Sequence, residues 1–251
     1  MGVYKGPSIV SDGLIIAYDA ANPKSYPGTG ATWFDLSGYG NDATITTGTF
    51  VAGTTAATNY FTGSDITFDL RINDSTSISN AFTTTTGGWT IEEVIRTDAV
   101  GSPLADGTSI ISVLNNVAGD TGFDWNQGDT TTTFEFGLAA SAVGAGVYDD
   151  QIIISSIPAE YSQLGVWRVR TMVWNRGANT VSLYINGTYI GGGSTTVTAG
   201  QSLYDGGGMR IGTGYGWRHN GRRAKFSTWN RVLTAAEIQQ NFNAHRSRYN
   251  L

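Results

Sequence analysis

Between Trp167 and Gly193 the chain reads WRVRTMVWNRGANTVSLYINGTYIGGG, and this stretch limits the fold more than any other. Val181, Leu183 and Ile185 alternate with Ser182, Tyr184 and Asn186, so an extended segment presents one apolar and one polar face. Asn186-Gly187 follows, the dipeptide best able to occupy the two positive-φ positions of a type I′ turn, and Thr188-Tyr189-Ile190 can return antiparallel. That turn sets Leu183 opposite Ile190 and Tyr184 opposite Tyr189, an aromatic cross-strand pair worth up to about 1 kcal/mol. Upstream, Trp167, Val169, Thr171 and Val173 share a face opposite Arg168 and Arg170, before Met172 and Trp174 make both faces apolar. The turn from Asn175 to Asn179 joins this strand to the hairpin, and a three-stranded meander results.

At 251 residues the chain has room for one large β domain or two small ones. Charged residues make up only 14% and cysteine is absent, so stability has to come from a packed core rather than disulfides. The N-terminus has no apolar run of signal-peptide length, and no stretch of about 18 apolar residues occurs, so neither a secretory signal nor a membrane span is expected. Charge is lopsided: residues 1–205 hold 7 Lys+Arg and 19 Asp+Glu (−12), whereas residues 206–251 hold 8 Lys+Arg and only Glu237 (+7), which sums to −5. Either distant strands mix in space and the asymmetry disappears, or a basic patch at Arg222, Arg223 and Lys225 docks on an acidic neighbouring surface. The acidic total and the lack of a groove-reading motif argue against nucleic acid as a partner.

In chain order, residues 13–19 read as a buried strand ended by a turn at Asn22-Pro23. Trp33 to Asp42 joins an aromatic anchor to a loop in which Asp35 and Ser37 accept bonds from their own backbone. Further strands fall at Trp89–Arg96, Ile110–Leu114, Phe134–Leu138 and Ile152–Ile154, and AGDTGFDWNQGDTTT reads as a loop. Thr234-Ala235-Ala236-Glu237 is a capping box, with Leu233 and Ile238 as its hydrophobic staple. A short amphipathic helix is predicted from there to about Ala244, packed over one end of a sandwich.

GLIIAYDAANPKSYPG, WFDLSGYGNDATI, SLYINGTYIGG and WNRVLTAAEIQQNF occur in that order, and together they resemble the concanavalin A-like lectin/glucanase superfamily in its laminin-G/pentraxin-like form. The opening YKGPSIVSDGLIIAYDAANPKSYPG is similar to that of virion structural proteins of tailed phages. The resemblance covers nearly the whole chain. It implies an all-β, two-sheet antiparallel jelly-roll sandwich with one short C-terminal α-helix: an N-terminal arm over residues 1–12, then a single domain over 13–251. Its next element, a strand, a Gly turn and a second strand, falls at Asn59–Phe68, and its closing strand, Ala224 to Arg231, should pair near the first and bring the termini together. For function the resemblance implies a non-enzymatic virion structural protein, a capsid decoration or knob-like surface protein at the virion surface. Its partners would be other virion proteins or copies of itself, with neither nucleic acid nor membrane among them. The alternative is a carbohydrate-binding module that attaches particles to host surface polysaccharide.

The chemistry available fits a binding protein. Hydrolases of this superfamily carry a Glu-x-Asp-x-x-Glu run, which is missing, and a strand sends the adjacent Glu92 and Glu93 to opposite faces. His219 and His245 are the only histidines and neither lies near a Gly-x-Ser-x-Gly elbow, so catalytic residues are not expected. The resemblance implies Ca2+ at a loop rim, with Asp120, Asp124 and Asp129, or Asp35 and Asp42, as ligands, unless these residues only cap turns. Glycan binding needs an aromatic platform beside amide or carboxylate groups, which Asp124, Trp125 and Asn126 offer in one presumed loop and Tyr215, Trp217 and His219 in another. Otherwise Trp125 and Trp217 pack onto the sandwich or a neighbouring subunit.

Overall fold

A computed structural model describes residues 8–53, 58–63, 69–84, 87–99, 108–112, 121–127, 132–139, 150–197, 206–214, 217–218 and 220–251. The early strands are β1 (Leu14–Asp19), β2 (Thr32–Trp33), β3 (Ala43–Thr47), β4 (Thr49–Val51), β5 (Tyr60–Gly63) and β6 (Asp69–Ile72), followed by helix α1 (Thr76–Phe82). Next come β7 (Gly88–Thr97), β8 (Thr108–Ser112), β9 (Gly122–Gln127), β10 (Phe134–Ala139) and β11 (Asp150–Ile154), then the single turn α2 (Ala159–Ser162). The meander is β12 (Trp167–Asn175), β13 (Thr180–Ile185) and β14 (Thr188–Ser194). After it run β15 (Met209–Ile211), β16 (Thr213–Gly214), β17 (Trp217–Arg218), β18 (Gly221–Trp229) and α3 (Ala235–Tyr249).

Two eight-stranded antiparallel sheets face one another. The first runs β14-β13-β12-β7-β18-β5-β4 with β1 also on β18, and the second runs β11-β10-β9-β8-β15-β6-β3-β2. At the centre of each sheet the neighbours are far apart in sequence, β12 beside β7 and β7 beside β18 in the first and β8 beside β15 and β15 beside β6 in the second, the mark of a jelly roll rather than a chain of hairpins. Trp33, Trp89, Trp125, Trp174, Phe123 and Phe136 fill the space between the sheets, and the rings of Trp89 and Phe123 stack at 4.3 Å. β1 pairs with β18 along its whole length, as the closing strand requires.

The hairpin forms on Asn186 and Gly187 at φ 52 and 77, and Tyr184 meets Tyr189 with rings 5.5 Å apart. One detail differs: a bulge beside Tyr184 places Leu183 opposite Gly191 rather than Ile190. The glycine run explains it, since Cβ atoms added at Gly191 and Gly193 would fall 2.8 and 2.7 Å from the Cγ2 atoms of Ile154 and Ile152. Side chains there would force β14 away from β11, and without them the edges of the two sheets close on each other.

Two further expectations are corrected. Residues 122–127 are a central strand, β9, because Phe123 and Trp125 point into the core and the polar residues between them face the other way. The terminal helix runs to Tyr249 and lies on the outer face of the first sheet, not over its end. Buried Asn241, His245 and Tyr249 carry it past Ala244. Its capping box forms as read, Thr234 Oγ1 accepting from the Glu237 amide and the Glu237 carboxylate accepting from the Thr234 amide. Of the N-terminal arm, residues 1–7 lie outside the described residues. Val10 is buried against the helix, its amide donating to Asn241 Oδ1 at 2.8 Å while its carbonyl accepts from Trp229 Nε1 at 2.9 Å.

Candidate binding site

Alternation places a polar row on the outer face of the second sheet. By register, Thr44, Arg71 and Arg210 follow one another across β3, β6 and β15, and Asp124, Gly137 and Gln151 across β9, β10 and β11. Asp124 and Asn126 therefore do share a face, Asn126 Nδ2 donating to Asp124 Oδ2 at 3.0 Å, but both are buried. Trp125 is on the opposite side of the strand, 2% exposed and part of the core. The expectation of a Trp125 platform flanked by Asp124 and Asn126 is thus overturned: one strand cannot aim three successive side chains the same way. Trp217 enters β17, and Tyr215 and His219 lie outside the described residues.

Of the calcium candidates, Asp35 and Asp42 are engaged within their own loop. Asp35 Oδ1 accepts from the amides of Ala17 and Ser37, and Oδ2 from Ser37 Oγ and the Asn41 amide, so its oxygens already hold four donors. Asp42 accepts from the Asp35 amide. These carboxylates cap their own loop, as anticipated for Asp35. Asp120 and Asp129 lie outside the described residues, and among the described ones no group of three or more His, Cys, Asp or Glu gathers.

The outer face of the first sheet is more informative. Alternation gives it Glu92, Val94 and Arg96 from β7 and Trp167, Val169 and Thr171 from β12, with α3 laid across the middle. Tyr249 packs on Val94, Val169 and Ala224. Beside it, His245 Nε2 lies 3.4 Å from Glu92 Oε1, while Thr171 Oγ1 donates to Glu92 Oε2 at 3.0 Å. Burial among these groups pushes the His245 pKa below its ordinary value and Lys225 adds to that, against the pull of Glu92.

Where the helix stops, the face turns from apolar to mixed. Thr62, Arg222, Arg96 and Trp167 are successive register partners across β5, β18, β7 and β12. Arg222 Nη1 donates to Tyr60 Oη at 2.9 Å, and its guanidinium lies 4.8 Å from the centre of that ring. Asp98, just past β7, accepts from Arg96 Nε at 2.6 Å and from Arg222 Nε at 3.2 Å. Tyr60 meets Trp167 edge-on at 5.8 Å, and Trp167 in turn meets Tyr249 at 5.3 Å. A pocket of about 280 Å³ opens here, lined by Ala52, Gly53, Thr58, Tyr60, Trp167 and Arg222. It joins half-buried aromatic rings to a guanidinium–carboxylate cluster.

Arg222, Arg223 and Lys225 do not form a docking patch. A bulge between Arg223 and Lys225 lets the first turn inward while the last stays on the outer face. Arg223 is fully buried between the sheets, donating from Nε and Nη2 to Glu93 Oε2 at 3.0 and 2.8 Å. Burial there pushes the Glu93 carboxyl above its usual range and lowers neighbouring Arg170 to about 10. Lys225 reaches Asp19 at 3.2 Å, where Arg248 of α3 joins it at 2.7 Å. Arg231 pairs with Asp12 and Glu237. Much of the basic C-terminal segment is thus neutralised by acids from the rest of the chain, so the asymmetry disappears in space.

Tyr60 and Trp167 were missed as site residues because each also reads as an ordinary strand aromatic. The available signal was Trp167 beginning a strand whose outward neighbours are all small or apolar.

A family model described as the concanavalin A-like lectin/glucanases superfamily, of laminin-G type, matches residues 70–239. No curated protein matches the chain. Among solved structures, the binding domain of Paraclostridial mosquitocidal protein 1 superposes with a TM-score of 0.68 at 17% identity, over 94% of this chain and 53% of that one. The binding domain of botulinum neurotoxin DC, solved with rat synaptotagmin II, gives 0.67 at 17% identity over 94% and 52%. That of botulinum neurotoxin serotype G gives 0.66 at 14% over 91% and 50%. This chain spans about half the length of these domains, and likeness at such identities is likeness of fold. With two facing sheets in jelly-roll order and a family model matching over 170 of its 251 residues, the chain belongs to the concanavalin A-like lectin/glucanases superfamily.

Proposed function

We propose that this chain is a non-catalytic binding module that takes up a carbohydrate at the end of α3. The observation that supports this is the pocket where Tyr60 and Trp167 stand beside Arg222 and Asp98. Sugars are held by aromatic faces against their C–H surfaces and by planar polar groups against their hydroxyls, and both are present within one set of contacts. The buried carboxylates Glu92 and Glu93 lie on opposite faces with partners inside the fold, which favours a structural role for them over catalysis. The test is a glycan array probed with the purified protein, with calcium and with chelator. Binding lost on Trp167→Ala and on Arg222→Ala, with the thermal melt retained, supports the reading. A blank array overturns it.

A second reading, assembly on a virion, is favoured by a separate observation. Phe34, Leu36 and Tyr39 are 41%, 38% and 58% exposed within one loop that Asp35 ties down through four hydrogen bonds. A rigid, apolar, exposed loop suits contact with another protein. In this reading it, rather than the basic segment, contacts other virion proteins or a second copy at the virion surface. Serine at all three positions should abolish incorporation into particles, and normal incorporation would count against it.

A further inference from the structure

We infer that the pocket selects a sugar bearing a carboxylate, a hexuronate, over its neutral counterpart; this rests on the carbohydrate reading above. Two guanidinium groups, Arg96 and Arg222, share the single carboxylate of Asp98. The cluster carries a net positive charge, and its side chains are 27 to 31% exposed. Each arginine gives its Nε to a different Asp98 oxygen, which fixes both guanidinium planes. The Nη groups, apart from the Arg222 Nη1 bond to Tyr60, have no other partner among the described residues.

Shape agrees with charge. Arg222 rests on the Tyr60 ring and so cannot swing away without losing that contact. Gly165 passes over Arg96 with no side chain, and even an added Cβ would sit only 3.6 Å from its Nη2. A ring lying against Trp167 and Tyr60 can therefore direct a carboxylate between two donors already in place. Charge-assisted bonds of this kind are roughly twice as strong as neutral ones. A neutral hexose would gain only the weaker set. The protein as a whole carries −5, so long-range attraction does not supply the preference and the two arginines have to.

The test is titration calorimetry of the full chain with uronic-acid oligosaccharides (oligogalacturonate, oligoalginate, hyaluronan fragments), each beside its carboxyl-reduced form, plus dextran sulfate beside dextran. At least one acid should bind tenfold or more tighter than its reduced partner. Arg96→Gln should erase most of that ratio by weakening the acid far more than its reduced form. Equal binding of acid and reduced forms, or a ratio unmoved by Arg96→Gln, overturns the inference and leaves the carbohydrate reading standing. Binding of dextran sulfate alone overturns the carboxylate assignment. No binding by any sugar brings down the carbohydrate reading together with this one.

Discussion

Arg222 and Arg223 are adjacent in the chain and opposite in circumstance. Arg223 has no exposed surface and compensates Glu93 between the sheets, so Arg223→Met leaves a carboxylate buried without its main partner. Losses of about 3–5 kcal/mol are typical for such a break, and a urea midpoint measured against wild type should show it. Arg222 keeps a solvated edge, and Arg222→Met should cost at most about 1 kcal/mol by the same measurement while removing sugar binding. Comparable losses in the two variants would mean that the inward turn at the bulge is misassigned. None of this could be read from the run GRRAKF. Strict alternation separates the two arginines, but only the bulge puts Ala224 and Lys225 on one face and decides which of the charged residues meets water.

At the scale of elements, α3 was half legible. Its start is written in the capping box, and Thr234→Ala should cost about 1 kcal/mol in a thermal or denaturant melt. Its length was not, because Asn241 and His245 read as surface residues in a helical pattern and only their contact with Glu92 shows them to be buried. That contact predicts a pH response. His245 binds a proton less readily folded than unfolded, so stability is full above its ordinary pKa of 6.5 and is lost as pH falls below it. Melting temperature should drop between pH 7.5 and 5, and His245→Gln should flatten that drop. An equally steep fall in the variant would place the titrating group elsewhere. β9 teaches the converse: Gly122, Asp124 and Asn126 have turn composition, yet alternate Phe123 and Trp125 were enough to bury it.

For the whole molecule, order in the sequence says little about order in the sheets, which is why hairpins were readable and neighbours such as β7 beside β18 were not. The first described residues meet the C-terminal segment, as the resemblance implied for the ends of the fold, with Val10 between Trp229 and Asn241. Removing residues 1–12 strips two buried groups of partners and uncovers an apolar contact, for a loss of about 3 kcal/mol. A truncated chain as stable as the full one would show the arm to be dispensable. The glycines at 191 and 193 have a last consequence. With β14 seated on β11, the two edge strands of one flank, each hydrogen-bonded on one side only, lie against each other and crowd the approach of a foreign strand. The opposite flank ends in β4 and β2, only 3 and 2 residues long, and in β1, where Ala17 gives its amide to Asp35 and its carbonyl accepts from the Leu36 amide of the covering loop. A molecule so rich in threonine and extended backbone is guarded against fibrous stacking by crowding at one edge and by brevity and a tethered loop at the other.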